Sequence, residues 1–153
     1  MAIFTAAAYG SETITGKVIR VEDGDTLTIS VPSPQGARQI RVQMHGVDCP
    51  EKEQPYSDQA KQFTTRMALG KTVACEVKSA DTYDRMVVVA IVEGKNLNRE
   101  LVKAGMAWWY RHYAPKDREL ADMEEEARAA KRGLWADPTP MPPWEYRRLN
   151  RKR

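Results

Sequence analysis

Two short acidic clusters hold the residues best suited to chemistry. Asp23-Gly24-Asp25-Thr26 sets two carboxylates across a glycine, and Asp48-Cys49-Pro50-Glu51 sets two more three positions apart. Singly, each has an ordinary structural explanation. Asp-Gly is a hairpin-turn signal, and a segment of the Asp-x-Pro-Glu type leaves a strand and caps a helix. Together they say more. In a barrel the ends of adjacent strands lie close, so Asp25 and Asp48 can converge. Two carboxylates with a backbone carbonyl and water make an all-oxygen site for a hard divalent cation, Ca²⁺ before Mg²⁺ where the site is open and loop-built. Glu51, kept off the metal, is placed to polarise a water. Arg85 follows Tyr83-Asp84 at the head of an apolar stretch and offers a guanidinium fork for a phosphate. Cation, base and arginine are the parts needed for attack of water on a phosphodiester.

The chain that must position these groups has 153 residues, enough for one domain with a sizeable core. A hydrophobic share of 42% with 29% charged residues excludes a disordered chain. The longest apolar run, Met86 to Val92, is far too short to span a bilayer, so no membrane partner is expected. The formal charge of +3 conceals an asymmetry, because residues 145–153 alone carry +4 and leave the rest at −1. Such a basic tail either solubilises the chain or holds a nucleic-acid backbone. Cys49 and Cys75, with only His45 and His112 beside them and no Cys-x-x-Cys spacing, do not make a tetrahedral zinc site. A disulfide between them stays open at this level. Met1–Gly10 is rich in small residues and lacks a basic start, in keeping with a trimmed signal remnant.

Periodicity places the clusters on elements. Ile14 to Val21 alternates as a strand, Asp23-Gly24 turns, and Thr26 to Val31 returns. Pro32 to Gly36 reads as a loop, Arg38 to Met44 as a third strand, and His45 to Pro55 as irregular. Ser57 to Leu69 is helical, closed by Gly70. Thr72 to Lys78 and Met86 to Val92 are strands, the second apolar throughout as if covered on both faces. A short helix over Leu97–Ala104, an extended Ala107–Tyr110 and a last amphipathic helix through Leu120, Met123, Ala127, Ala130 and Leu134 follow. Asp137 to Trp144 holds four prolines and is expected to run extended over the surface. The expected fold is mainly β with α (α+β), a five-stranded Greek-key barrel of the OB type with about three helices at its side.

These motifs carry a family likeness. Residues 16–26 (GKVIRVEDGDT), His45-Gly46-Val47-Asp48-Cys49-Pro50-Glu51 and Tyr83-Asp84-Arg85 resemble the staphylococcal nuclease (thermonuclease) family. So do residues 98–108 (NRELVKAGMAW) and Gly133-Leu134-Trp135, and residues 142–148 (PPWEYRR) resemble the tail of its bacterial exported members. The likeness divides the chain into an OB domain over 14–135, a Pro-rich then basic tail over 136–153, and an N-terminal segment over 1–13. It implies a Ca²⁺-dependent phosphodiesterase that cuts DNA and RNA with little sequence preference, secreted or periplasmic and monomeric. By the same likeness Asp25, Asp48 and the backbone carbonyl of Cys49 bind calcium, Glu51 is the general base, and Arg85 stabilises the transition state. Tyr83 and Tyr113 are the candidates for contact with the nucleotide.

One position departs from the pattern. The family has a second catalytic arginine five residues before the calcium-binding Asp, and here Gln43 stands there. Glutamine donates hydrogen bonds to a phosphate but brings no charge. Arg41, two residues earlier on the same strand face, is the candidate compensator. Loss of a charged donor from such a clamp costs on the order of 10²–10³ in rate. The alternative to a nuclease is therefore a catalytically impaired OB module that binds single strands. Of the remaining candidates, His45 and His112 read as packing residues. Trp108-Trp109-Tyr110 reads as core or as a stacking platform, and Glu124-Glu125-Glu126 as a solvated helix face.

Overall fold

The computed structural model describes residues 12–82 and 84–151. Five long strands form the barrel: β1 (Thr13–Asp23), β2 (Thr26–Ser33), β3 (Gly36–Met44), β5 (Thr72–Thr82) and β6 (Arg85–Val92). They follow the order β3-β2-β1-β5-β6, and a parallel β3–β6 pairing closes the sheet on itself. Along β3, Ile40, Val42 and Met44 point into the core while Arg41 and Gln43 point out, the alternation that a period of two dictates. In β1 the alternation breaks at a bulge between Val18 and Arg20, which is how Val18 and Val21 both come to be buried. The β2–β3 connection is tighter than expected, because Pro32 and Ser33 pair with Ala37 and Gly36 and the loop shrinks to a hairpin turn. Strand β5 likewise runs on to Thr82, beyond the expected end at Lys78.

Two residues of the segment expected to be irregular, Val47 and Asp48, form a short strand (β4) paired with Trp108–Trp109 (β8). The pairing is what fixes Asp48. A second short strand, Lys95–Asn96 (β7), turns back on β6. Helix α1 (Ser57–Ala68) ends just before Gly70, whose φ of +77° is the left-handed turn that glycine supplies most cheaply. Helix α2 (Leu97–Lys103) carries Asn98, which is buried. Its amide donates to the carbonyls of His45 (2.9 Å) and Val88 (3.1 Å) and accepts from the Ala90 N–H (3.0 Å). One side chain thus ties the helix to β6 and to the turn that leads into β4.

Helix α3 (Arg118–Ala129) is shorter than the apolar spacing suggests, and Leu134 belongs to a separate 3₁₀ turn over Gly133–Ala136. Glu124 corrects the reading of a solvated acidic face. It is buried, and its carboxylate accepts the Trp109 N–H at 2.7 Å and a guanidinium N–H of Arg128 at 3.0 Å. Trp108 is core rather than a stacking platform, packed edge-on against Trp135. The extended tail also needs correction. Pro143 is the first residue of a fourth helix, α4 (Pro143–Asn150), a position where its missing N–H costs nothing. Trp144 anchors this helix, stacked on Tyr110 and edge-on to Trp108. The Gln54 amide donates to the Met141 carbonyl at 3.0 Å and holds the segment leading to it.

Candidate active site

The turn between β1 and β2 is pressed against the rest of the site. A Cβ at Gly24 would lie 2.7 Å from the Cys49 sulfur and 2.9 Å from the Ala60 Cβ, so only glycine allows the turn to pack this closely. The Thr64 hydroxyl donates to the Gly24 carbonyl at 2.6 Å and fixes the turn to α1. Asp25 is thereby buried, and its carboxylate accepts the Thr26 hydroxyl (3.1 Å) and the Cys49 N–H (2.8 Å). The second of these bonds joins the two acidic clusters directly.

Asp25 and Asp48 line one cleft of about 210 Å³ with Cys49, Glu51, Arg41, Gln43 and Arg85. Arg41 and Arg85 are register partners across the parallel β3–β6 seam, and Gln43 pairs with Val87 two residues further along. Seven of the nine site residues expected from sequence thus share one concavity. Tyr113 does not. It is 67% exposed and packs edge-on against Tyr110 rather than lining the cleft. Tyr83 lies outside the described residues, as does Met1–Gly10. Cys49 and Cys75 are both buried free thiols, which answers the open question of a disulfide. Burial pushes the Cys75 thiol up to about 12 and that of Cys49 well above its ordinary value.

Asp23, Asp81 and Arg147 also line the cleft, and the sequence reading gives none of them a role of its own. Asp23 had a visible signal, its place in the same turn as Asp25. Arg147 had only the basic run of the tail, which gives no hint of direction. In the structure Arg147 reaches from α4 across the cleft. Its guanidinium meets both oxygens of Asp48, at 3.2 and 2.8 Å, and one oxygen of Glu51 at 2.6 Å. The Glu51 backbone N–H donates to the Gln54 side chain at 2.8 Å, so the loop bearing the acid is braced as well.

Burial and the neighbouring Asp23 and Asp48 charges raise the Asp25 carboxyl well above the usual carboxylate range. Burial also raises Asp48, and the Arg147 guanidinium only partly offsets it. Clustered carboxylates held in this way are costly when ionised, which is the electrostatic condition a divalent cation relieves. The donors are all oxygens, as a hard cation requires. Among the described residues no group of three His, Cys, Asp or Glu side chains converges as a ready-made metal cage. Two carboxylates completed by a carbonyl and water remain the set that fits.

A stability prediction follows from these directions. Both native carboxyls stay protonated at pH values where the unfolded chain, near the ordinary 3.8, has released its protons. The native state then binds more protons, so stability falls as pH rises from about 4 through the raised native values. In a chelator, thermal unfolding is expected to show that decline, and Asp25→Asn to flatten it. A divalent cation that binds these carboxylates would offset the decline, by about 2.7 kcal/mol at a hundred times its dissociation constant. Equal pH slopes for wild type and Asp25→Asn would contradict the electrostatic account.

Residues 41–137, well over half of the chain, match the family model described as Staphylococcal nuclease homologue. A protein of Escherichia coli O157:H7 named as an uncharacterized endonuclease is 38% identical over 88% of this chain and 85% of its own length. One of the same name from Haemophilus influenzae is 36% identical over 95% of this chain and 80% of its own. The micrococcal nuclease of Shigella flexneri is 33% identical over 89% and 82%. The match runs from Arg41 in β3 through the Asp48–Glu51 segment and Arg85 to the 3₁₀ turn after α3, so both in sequence and in the closed five-stranded sheet the chain belongs to the staphylococcal nuclease family.

Proposed function

We propose that the protein is a Ca²⁺-dependent nuclease that hydrolyses phosphodiester bonds of DNA and RNA with little sequence preference. The observation that carries the reading is the meeting of Asp25, Asp48, Glu51 and Arg85 in one polar cleft. Asp25, Asp48 and the Cys49 carbonyl are the groups to hold Ca²⁺, which when bound supplies positive charge to the phosphate oxygens. Glu51 takes a proton from the attacking water as the new O–P bond forms. One ester P–O bond breaks, and the leaving oxygen acquires a proton from solvent. Arg85 and Arg41, side by side on the seam, face the charge that builds on the equatorial oxygens.

The test is cleavage of heat-denatured DNA and of RNA in Ca²⁺, in Mg²⁺ and in chelator. Cleavage of both polymers in Ca²⁺, abolished by the chelator, is the expected result. Salt-sensitive binding without cleavage would replace this reading with that of a binding module.

A further inference from the structure

The cleft walls are unequal in charge. Asp23, Asp25, Asp48, Glu51 and Asp81 face it, against Arg41 and Arg85 from the barrel. A phosphodiester is itself an anion, and at this cleft the barrel supplies fewer cations than acids. Gln43, two residues beyond Arg41 on β3, adds hydrogen-bond donors but no charge. The remaining cation on the cleft wall is Arg147, and it comes from outside the barrel.

Arg147 is held there by more than its own ion pairs. Helix α4 is docked through Trp144, between Tyr110 and Trp108, and through the Gln54–Met141 hydrogen bond. Its neighbour Arg148 turns away and pairs with Glu145. The guanidinium uses three of its five N–H donors on Asp48 and Glu51, leaving two for another anion. Asp48 in turn keeps free lone pairs, since a carboxylate has about four acceptor positions and Arg147 occupies two. The contact therefore leaves room for a cation on the same carboxylate and for a phosphate on the same guanidinium. An arginine fixed by a packed helix, with donors to spare, behaves as part of a site rather than as a plug that must leave it.

We propose that Arg147 is a third phosphate-binding arginine of the active site, delivered by α4, which grips the substrate phosphodiester while holding Glu51 in position. The inference rests on the nuclease reading above and adds a catalytic residue to it. It also explains how a cleft with glutamine at position 43 has its phosphate clamp completed from another element.

The experiment compares the full chain with Arg147→Ala, Arg147→Lys, Arg148→Ala and the double variant Arg147→Ala/Gln43→Arg. Arg147→Ala is expected to lower kcat by about 10²–10³ with a much smaller change in KM. Arg147→Lys recovers part of the loss, because it restores charge without the fork. Arg148→Ala removes the same tail charge and leaves the rate unchanged. Gln43→Arg, made alone as a control, raises the rate of wild type at least tenfold less than it raises that of Arg147→Ala, a coupling that a purely structural tie between α4 and the barrel does not allow. A second readout needs no cleavage, namely binding of a phosphorothioate-linked single strand in Ca²⁺ across a salt series. There Arg147→Ala should reduce the slope of log affinity against log salt by about 0.7, the share of one phosphate contact. A rise in rate on removing Arg147 would overturn the proposal in favour of an autoinhibitory plug. An unchanged salt slope, whether or not the wild type cleaves, would overturn it too. An inert wild type that still loses the slope in Arg147→Ala would refute the nuclease reading alone.

Discussion

Glu51→Gln is expected to lower phosphodiester hydrolysis by about 10²–10⁴ with little change in melting temperature. The substitution keeps the shape of the side chain and one acceptor for Arg147, so the 2.6 Å contact survives as a weaker, uncharged hydrogen bond. What it removes is the ability to accept a proton from water. The loop itself stays braced, because the Glu51 backbone N–H bonds Gln54 whatever the side chain is. Single-turnover cleavage with Ca²⁺ in excess isolates the chemical step. A rate within threefold of wild type would remove Glu51 from the role of base. Binding of the single strand should hold or tighten, since one negative charge leaves the cleft.

The second large effect concerns Arg85. Arg85→Lys retains the charge but loses the planar fork, and is expected to slow cleavage by about 10²–10³. Arg85 is the first residue of β6 and exposed, so nothing in the core depends on it. Its backbone pairing with Arg41 across the seam is indifferent to the side chain. The change should therefore fall on kcat and leave thermal unfolding alone. Arg41→Lys, on the neighbouring strand, is expected to cost less. If the two variants lose activity equally, the arginines act as one unit and Arg85 does not hold the larger share of the transition-state charge.

Local signals were strong where one element carried the message. The period-two run of β3, the Asp-Gly turn and the apolar β6 all lie where their residue types put them, and with them Asp25, Gln43, Arg41 and Arg85. Asp48 and Glu51 were legible as chemistry but not as geometry. The two-residue strand β4 is too short for any periodicity, and its partner β8 is distant in the chain. Pro143 misled for a different reason. Proline forbids a helix interior yet favours a helix start, and residue spacing alone does not separate the two. Arg147 and Glu124 were missed because a long-range ion pair or a buried carboxylate leaves no mark on neighbouring positions. Glu124 stands in a run of three identical acids, of which it alone is buried.

The parallel β3–β6 pairing sets an order of events as well as a shape. Arg41 and Arg85 become neighbours only when strands far apart in the chain have joined, the kind of contact whose loop-closure entropy makes it late and slow. Every hairpin that precedes it can form without bringing those two guanidinium groups together. On refolding, regained cleavage should therefore track the slowest phase of barrel closure, with no partly folded species active. During synthesis the emerging chain likewise has no complete cleft while β6, which carries Arg85, is still unmade.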